Sequence, residues 1–253
     1  MSINVPQTAS SQLIDKINKL VAASYKPTAL QLQSLKNDAK KLTQVDAPTS
    51  YVVRGMIAAL EQDVAECRHS HENAIRLNNS SFTNGNYAVS LGKLGFFSEA
   101  IKYLTKDNEF SPGVPETLRK FVNYNIRCGR VQEAIKWMHQ IKKEMPTEKI
   151  EYEEFLLELH AFMTKLNISD NSLETLLGYA IDVLHENNTY YFNNIRSFGN
   201  DGDYEWLEIK FNLDLPVKDV VNLANKLLNK LINTNRQDNL FNRVVLRYES
   251  ILS

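Results

Sequence analysis

The chain has 253 residues, 43% of them hydrophobic, and its 29 Lys and Arg against 30 Asp and Glu leave a net charge of -1. That composition supports a buried core, argues against disorder, and argues against a general phosphate-backbone binder while leaving room for a local basic patch. With only 9 Gly and 7 Pro, the chain is poor in turn formers, which favours long helices over a many-turned sandwich or barrel.

No apolar stretch approaches the ~20 residues of a membrane helix. The opening residues MSINVPQTASSQ lack a basic start, an apolar middle and a cleavage site, so no signal peptide is expected. Two cysteines, Cys67 and Cys128, give no disulfide framework, and a cytoplasmic setting is the expectation. The first predicted helix is capped by Ser10 or Ser11 and runs to about Ala23, with Leu13, Ile14, Ile17, Leu20 and Val21 on one face. Pro27 opens a second, carrying Leu30, Leu32, Leu35, Ala39 and Leu42.

A repeat follows. Gly95 to Leu104 reads GFFSEAIKYL and Gly129 to Met138 reads GRVQEAIKWM, 34 residues apart. Pro112 and Pro146 each lie twelve residues after the shared alanines, Ala100 and Ala134. A fainter copy sits 33 residues upstream, with Cys67 at the small position. Small residues there let a neighbouring helix approach, the glycines suit a tight turn with positive φ, and the prolines stop the second helix. Apolar helical stretches precede each turn at Tyr51–Leu60, Tyr87–Leu94 and Leu118–Ile126.

On Gly55, Ala74, Gly95, Ala100, Pro112, Gly129, Ala134 and Pro146, residues of about 48 to 146 resemble three tetratricopeptide (TPR) repeats. The first copy departs in lacking the turn glycine and the final proline, and Val122 replaces the early small residue of the last copy. The resemblance implies 34-residue helix-turn-helix units whose first helices line a concave groove. The matching positions are Val52, Met56 and Leu60, then Asn86, Val89 and Lys93, then Arg119, Asn123 and Arg127. In TPR domains that hold a terminal carboxylate, a basic residue and an Asn four later form part of the clamp, and Arg119 and Asn123 have that order.

Helices are predicted again at Ile150–Leu166 and at Ser172–His185, with Ser172 as a cap. From Tyr204 the period changes to two. Leu207, Ile209, Phe211 and Leu213 alternate with polar residues, as in a half-buried strand. The aromatic-rich Thr189–Phe198 and the turn chemistry of residues 199–203 make this a hairpin. A helix from Val217 through Leu231 and a third strand at Asn242–Glu249 complete a β-β-α-β unit, with the sheet's apolar face expected against that helix. The predicted fold is thus mainly α: residues 1–185 form a TPR-like antiparallel helix-hairpin array with N-terminal capping helices, and residues 186–253 a small α+β unit packed on it.

Catalytic and phosphate-binding motifs are missing. Cys67 and His71 share a helix face while His69 points away, which favours helix packing over a metal site. No metal, cofactor or catalytic residue is expected. The sequence predicts a non-catalytic module binding a protein or peptide partner through Met56, Asn86, Lys93, Arg119, Asn123 and Arg127. Alternatives are an inhibitor, immunity or antitoxin-type protein neutralising one cognate partner, or a nucleic-acid-associated regulator using Arg119, Lys120, Arg127, Arg130 and Lys136. Nucleic acid ranks below protein as a partner, and an enzyme built on Asp201, Asp203 and Arg243 ranks last. No membrane is expected, and the C-terminal sheet edge offers a route to a homodimer.

Overall fold

The computed structural model describes residues 9–22, 27–150, 152–190, 192–202, 204–234 and 240–252. They form two compact units, Met1–Thr117 and Leu118–Ser253. No described helix is long and apolar enough to cross a membrane.

The first unit contains α1 (Ala9–Ala22), α2 (Ala29–Leu42), α3 (Ala47–Glu61), α4 (Val64–Leu77), α5 (Ser81–Lys93) and α6 (Phe97–Phe110). Ser10 lies inside α1 rather than capping it, and its hydroxyl donates to Asp46 (2.8 Å), the N-cap of α3. The expected end of α1 at Ala23 and the side chain of Val21 lie outside the described residues. Thr28, next to Pro27, caps α2 in a reciprocal box with Gln31. Leu13 and Ile17 of α1, with Leu35, Ala39 and Leu42 of α2, close over Val52, Val53, Met56 and Ile57 of α3. Apart from Ala39, each of these buried side chains contributes about 1.5–3 kcal/mol.

Helices α3 and α4 form one hairpin, α5 and α6 the next, and they pack in chain order through α3 and α4 against α5. His71 of α4 sits at that junction. Its ring stacks on Tyr87 of α5 (centroids 4.8 Å apart), and its Nε2 shares a 2.8 Å hydrogen bond with Ser90 Oγ. On the other side it presses against Gly55 of α3, where an added Cβ would lie 2.4 Å from the imidazole. Gly55 is therefore small because His71 fills the space. Cys67 and Ala100 are fully buried, as close helix packing requires.

The second unit takes in α7 from Leu118 (the helix as a whole is Pro115–Cys128), α8 (Val131–Glu144), α9 (Glu153–Lys165) and α10 (Asp170–Glu186). It continues with β1 (Phe192–Asn200), β2 (Glu205–Leu213), α11 (Val217–Ile232), the short α12 (Leu240–Arg243) and β3 (Val244–Ser250). Ser169, not Ser172, caps α10. The preceding Asn167 turn brings Asp170 to the start of α8, where its carboxylate accepts from the Gln132 amide (3.0 Å) and complements the helix dipole. Arg130 makes a two-pronged pair with Glu174 (2.9 and 2.5 Å) beside it.

One closing turn recurs in both units. The amide two or three residues after the helix end donates to a carbonyl five residues back: Asp63 to Ala58, Phe96 to Leu91, Arg130 to Asn125, each 2.9 Å. Gln62, Gly95 and Gly129 supply the positive φ in between, at 63°, 82° and 86°. The same bond joins Ile168 to Met163 (2.8 Å) across Asn167, so α9 and α10 are connected as the earlier hairpins are.

The sheet order is β1-β2-β3, with β1 antiparallel to β2 and β3 parallel to β2 across the α11 crossover. Its inner face carries Leu207, Ile209, Phe211 and Leu213 with Val244 and Tyr248, all buried. Tyr248 donates to the Ala180 carbonyl of α10 (2.6 Å), and Phe198 packs on Phe155 and Phe162 of α9. Preceding helices thus cover this face, while α11 packs on β3 and α10.

The turns yield a stability contrast. A non-glycine residue at positive φ is strained by about 1 kcal/mol. Gln62→Gly is expected to raise stability by up to that amount in urea titrations. Gly129→Ala is expected to lower it by more than about 2 kcal/mol, because its Cβ would also meet the Leu173–Glu174 backbone at 2.9 Å.

His71 yields a pH dependence. Burial holds its folded pKa down to about 3, against about 6.5 in the unfolded chain. The unfolded state therefore takes the proton first. Stability is complete above the unfolded value and falls as pH drops toward the folded one. Between pH 7 and 5 the wild type is expected to lose about 2 kcal/mol that a His71→Gln variant does not lose, read from urea midpoints at the two pH values.

Candidate functional site

The six residues singled out by sequence separate into a core position and two surface stripes. Met56 is a correction: at 1% exposure it belongs to the core of the first unit, because α1 and α2 cover the α3 face that carries it. On α5, Phe82, Asn86, Val89 and Lys93 recur at helical spacing and remain partly or fully exposed, while Tyr87, Ala88 and Leu91 face inward. Asn86 spends its amide on the Phe82 carbonyl (2.7 Å).

A cleft of about 460 Å³ opens between α2, α3 and α4 in the same unit. Its charges cancel in pairs, Lys36 with Glu61 (2.6 Å) and Arg54 with Glu66 (2.9 Å), so it selects no ligand sign.

In the second unit Arg119, Asn123 and Arg127 do share a face of α7. Arg119 is exposed and holds the Glu148 carboxylate, which arrives from the segment after α8. Arg127 is half-buried and its Nε donates to Asn123 Oδ1 (2.9 Å). Phe121 and Trp137 stack behind them with centroids 4.0 Å apart, fixing α7 on α8.

A third guanidinium, absent from the expected set, adjoins this stripe. Arg196 lies on the inner side of β1, opposite Ile209 and in register with Phe198. It donates Nη2 to the Ile126 carbonyl at the end of α7 (2.9 Å) and Nη1 to Asn194 Oδ1 (3.3 Å). Burial, and then the charge of Arg127, lower its pKa to about 9. The α7 terminus offers it partial negative charge from unsatisfied carbonyls. The Nδ2 group of Asn194 is buried without a hydrogen-bond partner. The signal in the sequence was the alternation Asn194, Arg196, Phe198, which places two polar residues on the core face of an edge strand.

Other candidates resolve into structural roles. Asp201 accepts from the Tyr204 amide (2.8 Å) within the hairpin turn, and Arg243 stacks 3.7 Å over the Tyr204 ring. Asp203 lies outside the described residues. The Cys67 thiol is pushed up to about 12 by burial, which leaves it protonated and inert. Among the described residues, no group of three His, Cys, Asp or Glu is placed to hold a metal ion. No protein-family model and no curated protein matches the chain.

The Arg119–Glu148 pair is partly solvated on both sides, where such pairs contribute less than about 1 kcal/mol. Glu148→Ala is expected to move the unfolding midpoint by no more than that amount.

Proposed function

We propose that this chain is a non-catalytic binding module that captures an acidic segment of a protein partner, using TPR-like helix hairpins as its scaffold. The carrying observation is the α7 stripe, where an exposed arginine is already seated on a carboxylate brought from a loop. A guanidinium binds carboxylates through a fork of donors, and a solvated internal pair exchanges for an external one at little cost. Asn123 sets the orientation of Arg127 next to it. In the first unit, the α5 stripe with Phe82, Asn86, Val89 and Lys93 is a separate surface of mixed apolar and polar character.

An inhibitor, immunity or antitoxin role is the narrower form of this reading, with one cognate partner on the same surfaces. Nucleic acid ranks lower because the chain's net charge is -1, without the basic excess that a phosphate backbone calls for, and three of the five candidate cations, Arg119, Arg130 and Lys136, each lie beside a carboxylate.

The test is purification from the native host followed by lysine-directed crosslinking and mass spectrometry. Crosslinks from the partner to Lys120 on α7 are expected. Reversing Arg119 and Arg127 to Glu is expected to weaken the complex tenfold or more, about 1.4 kcal/mol. A partner retained at full affinity by the doubly reversed chain, or crosslinked only to Lys102 and Lys106 on α6, would overturn the proposal.

A further inference from the structure

The helix α11 carries two apolar stripes. One, formed by Val220, Leu223 and Leu227, is buried in the second unit. The other runs Val217, Val221, Ala224, Leu228, Leu231, at alternating spacings of four and three. That is the a/d spacing of a helix-pairing seam. Val217, Val221 and Leu228 are 63%, 51% and 55% exposed, and Ile232 beside them is 67% exposed. The apolar surface extends at the helix start: Ser250 donates to the Leu215 carbonyl (2.6 Å), which brings the exposed Ile251 and Leu252 to that end.

Among the described residues of α11, the rim of the seam is nearly uncharged. Its exposed flanking residues are Lys218, Asn222, Asn225 and Asn229. The other lysines of the helix are turned to α10, Lys226 to Asn187 and Lys230 to Asp182 and Glu186. A partner of opposite charge would find almost nothing to complement. A second copy of the same surface meets no like-charge clash, and amide groups pair with amide groups because each both donates and accepts.

We infer that α11 is a self-association surface, on which the exposed seam of one chain pairs antiparallel with the same seam of a second copy. A two-fold axis beside Ala224 makes the contact isologous. The antiparallel sense sets each Lys218 near the carboxyl end of the facing helix, where its charge is favoured, rather than against its own counterpart. Sixteen residues of helix span about 24 Å. Two such stripes bury on the order of 1,000 Å² in total, the lower bound for a specific interface, so the dimer is concentration-dependent.

Sedimentation velocity of the full chain between about 1 and 300 µM tests this. The weight-average mass is expected to rise from one chain toward two, while Leu228→Lys stays at one chain with an unchanged melting profile. A wild type that remains monomeric throughout overturns the inference. So does a concentration dependence that Leu228→Lys leaves intact, which would place association elsewhere, such as the sheet edge. Orientation is read by oxidative crosslinking, and the two native cysteines are buried. Ala224→Cys is expected to form an intermolecular disulfide. Val217→Cys is expected not to, since antiparallel copies separate those positions by about 21 Å. Crosslinking of both variants, or of neither, contradicts the antiparallel seam. None of these readouts depends on the acidic partner proposed for α7.

Discussion

The left-handed closing turn is the constraint on which the helix hairpins of this protein depend. In the hairpins α3–α4, α5–α6, α7–α8 and α9–α10 the chain reverses within two to four residues, and one residue at positive φ makes that reversal. The amide after that residue then reaches back to the last turn, satisfying a carbonyl that would otherwise be orphaned. Because the reversal is fixed, the register of the second helix is fixed too. Phe97, Ala100 and Leu104 of α6 are buried, and Val131, Ala134 and Met138 are buried 34 residues later. A change of one residue in the turn would rotate the second helix by about 100° and present a different face.

That constraint also explains what could be read from the amino acids. The turns at Gly95 and Gly129 were legible because glycine is the residue that adopts positive φ without strain. Gln62 and Asn167 make the same turn, yet neither marks itself in a sequence. The hairpin of α9 and α10 escaped the repeat for a second reason as well. A longer link precedes it, and the inward position after its turn carries Leu173 instead of a small residue.

Tertiary context decided the rest. Nothing local distinguishes Met56 from a groove residue; the difference is that α1 and α2 lie over α3 and bury it. The small residue Gly55 was legible as a close contact, but its cause, the His71 ring held by Ser90 and Tyr87, needed three helices in place. The strand β2 announced itself by strict alternation. In β1 the inward positions are partly polar, so the same alternation reads as a surface strand until Arg196 is seen reaching the end of α7.

Charge follows a consistent logic in the second unit. Asp170 sits where α8 begins and Arg196 where α7 ends, so each helix terminus meets a side chain of the sign its dipole favours. A cation on an apolar sheet face is costly unless its donors are used. Arg196 uses two of them on a carbonyl and an amide oxygen rather than on an acid, so it keeps its positive field. That field acts on Arg127, the next residue along the cationic stripe of α7, and disfavours adding a further cation there. The sheet therefore does more than cover the helices: it places one guanidinium at the carboxyl end of α7.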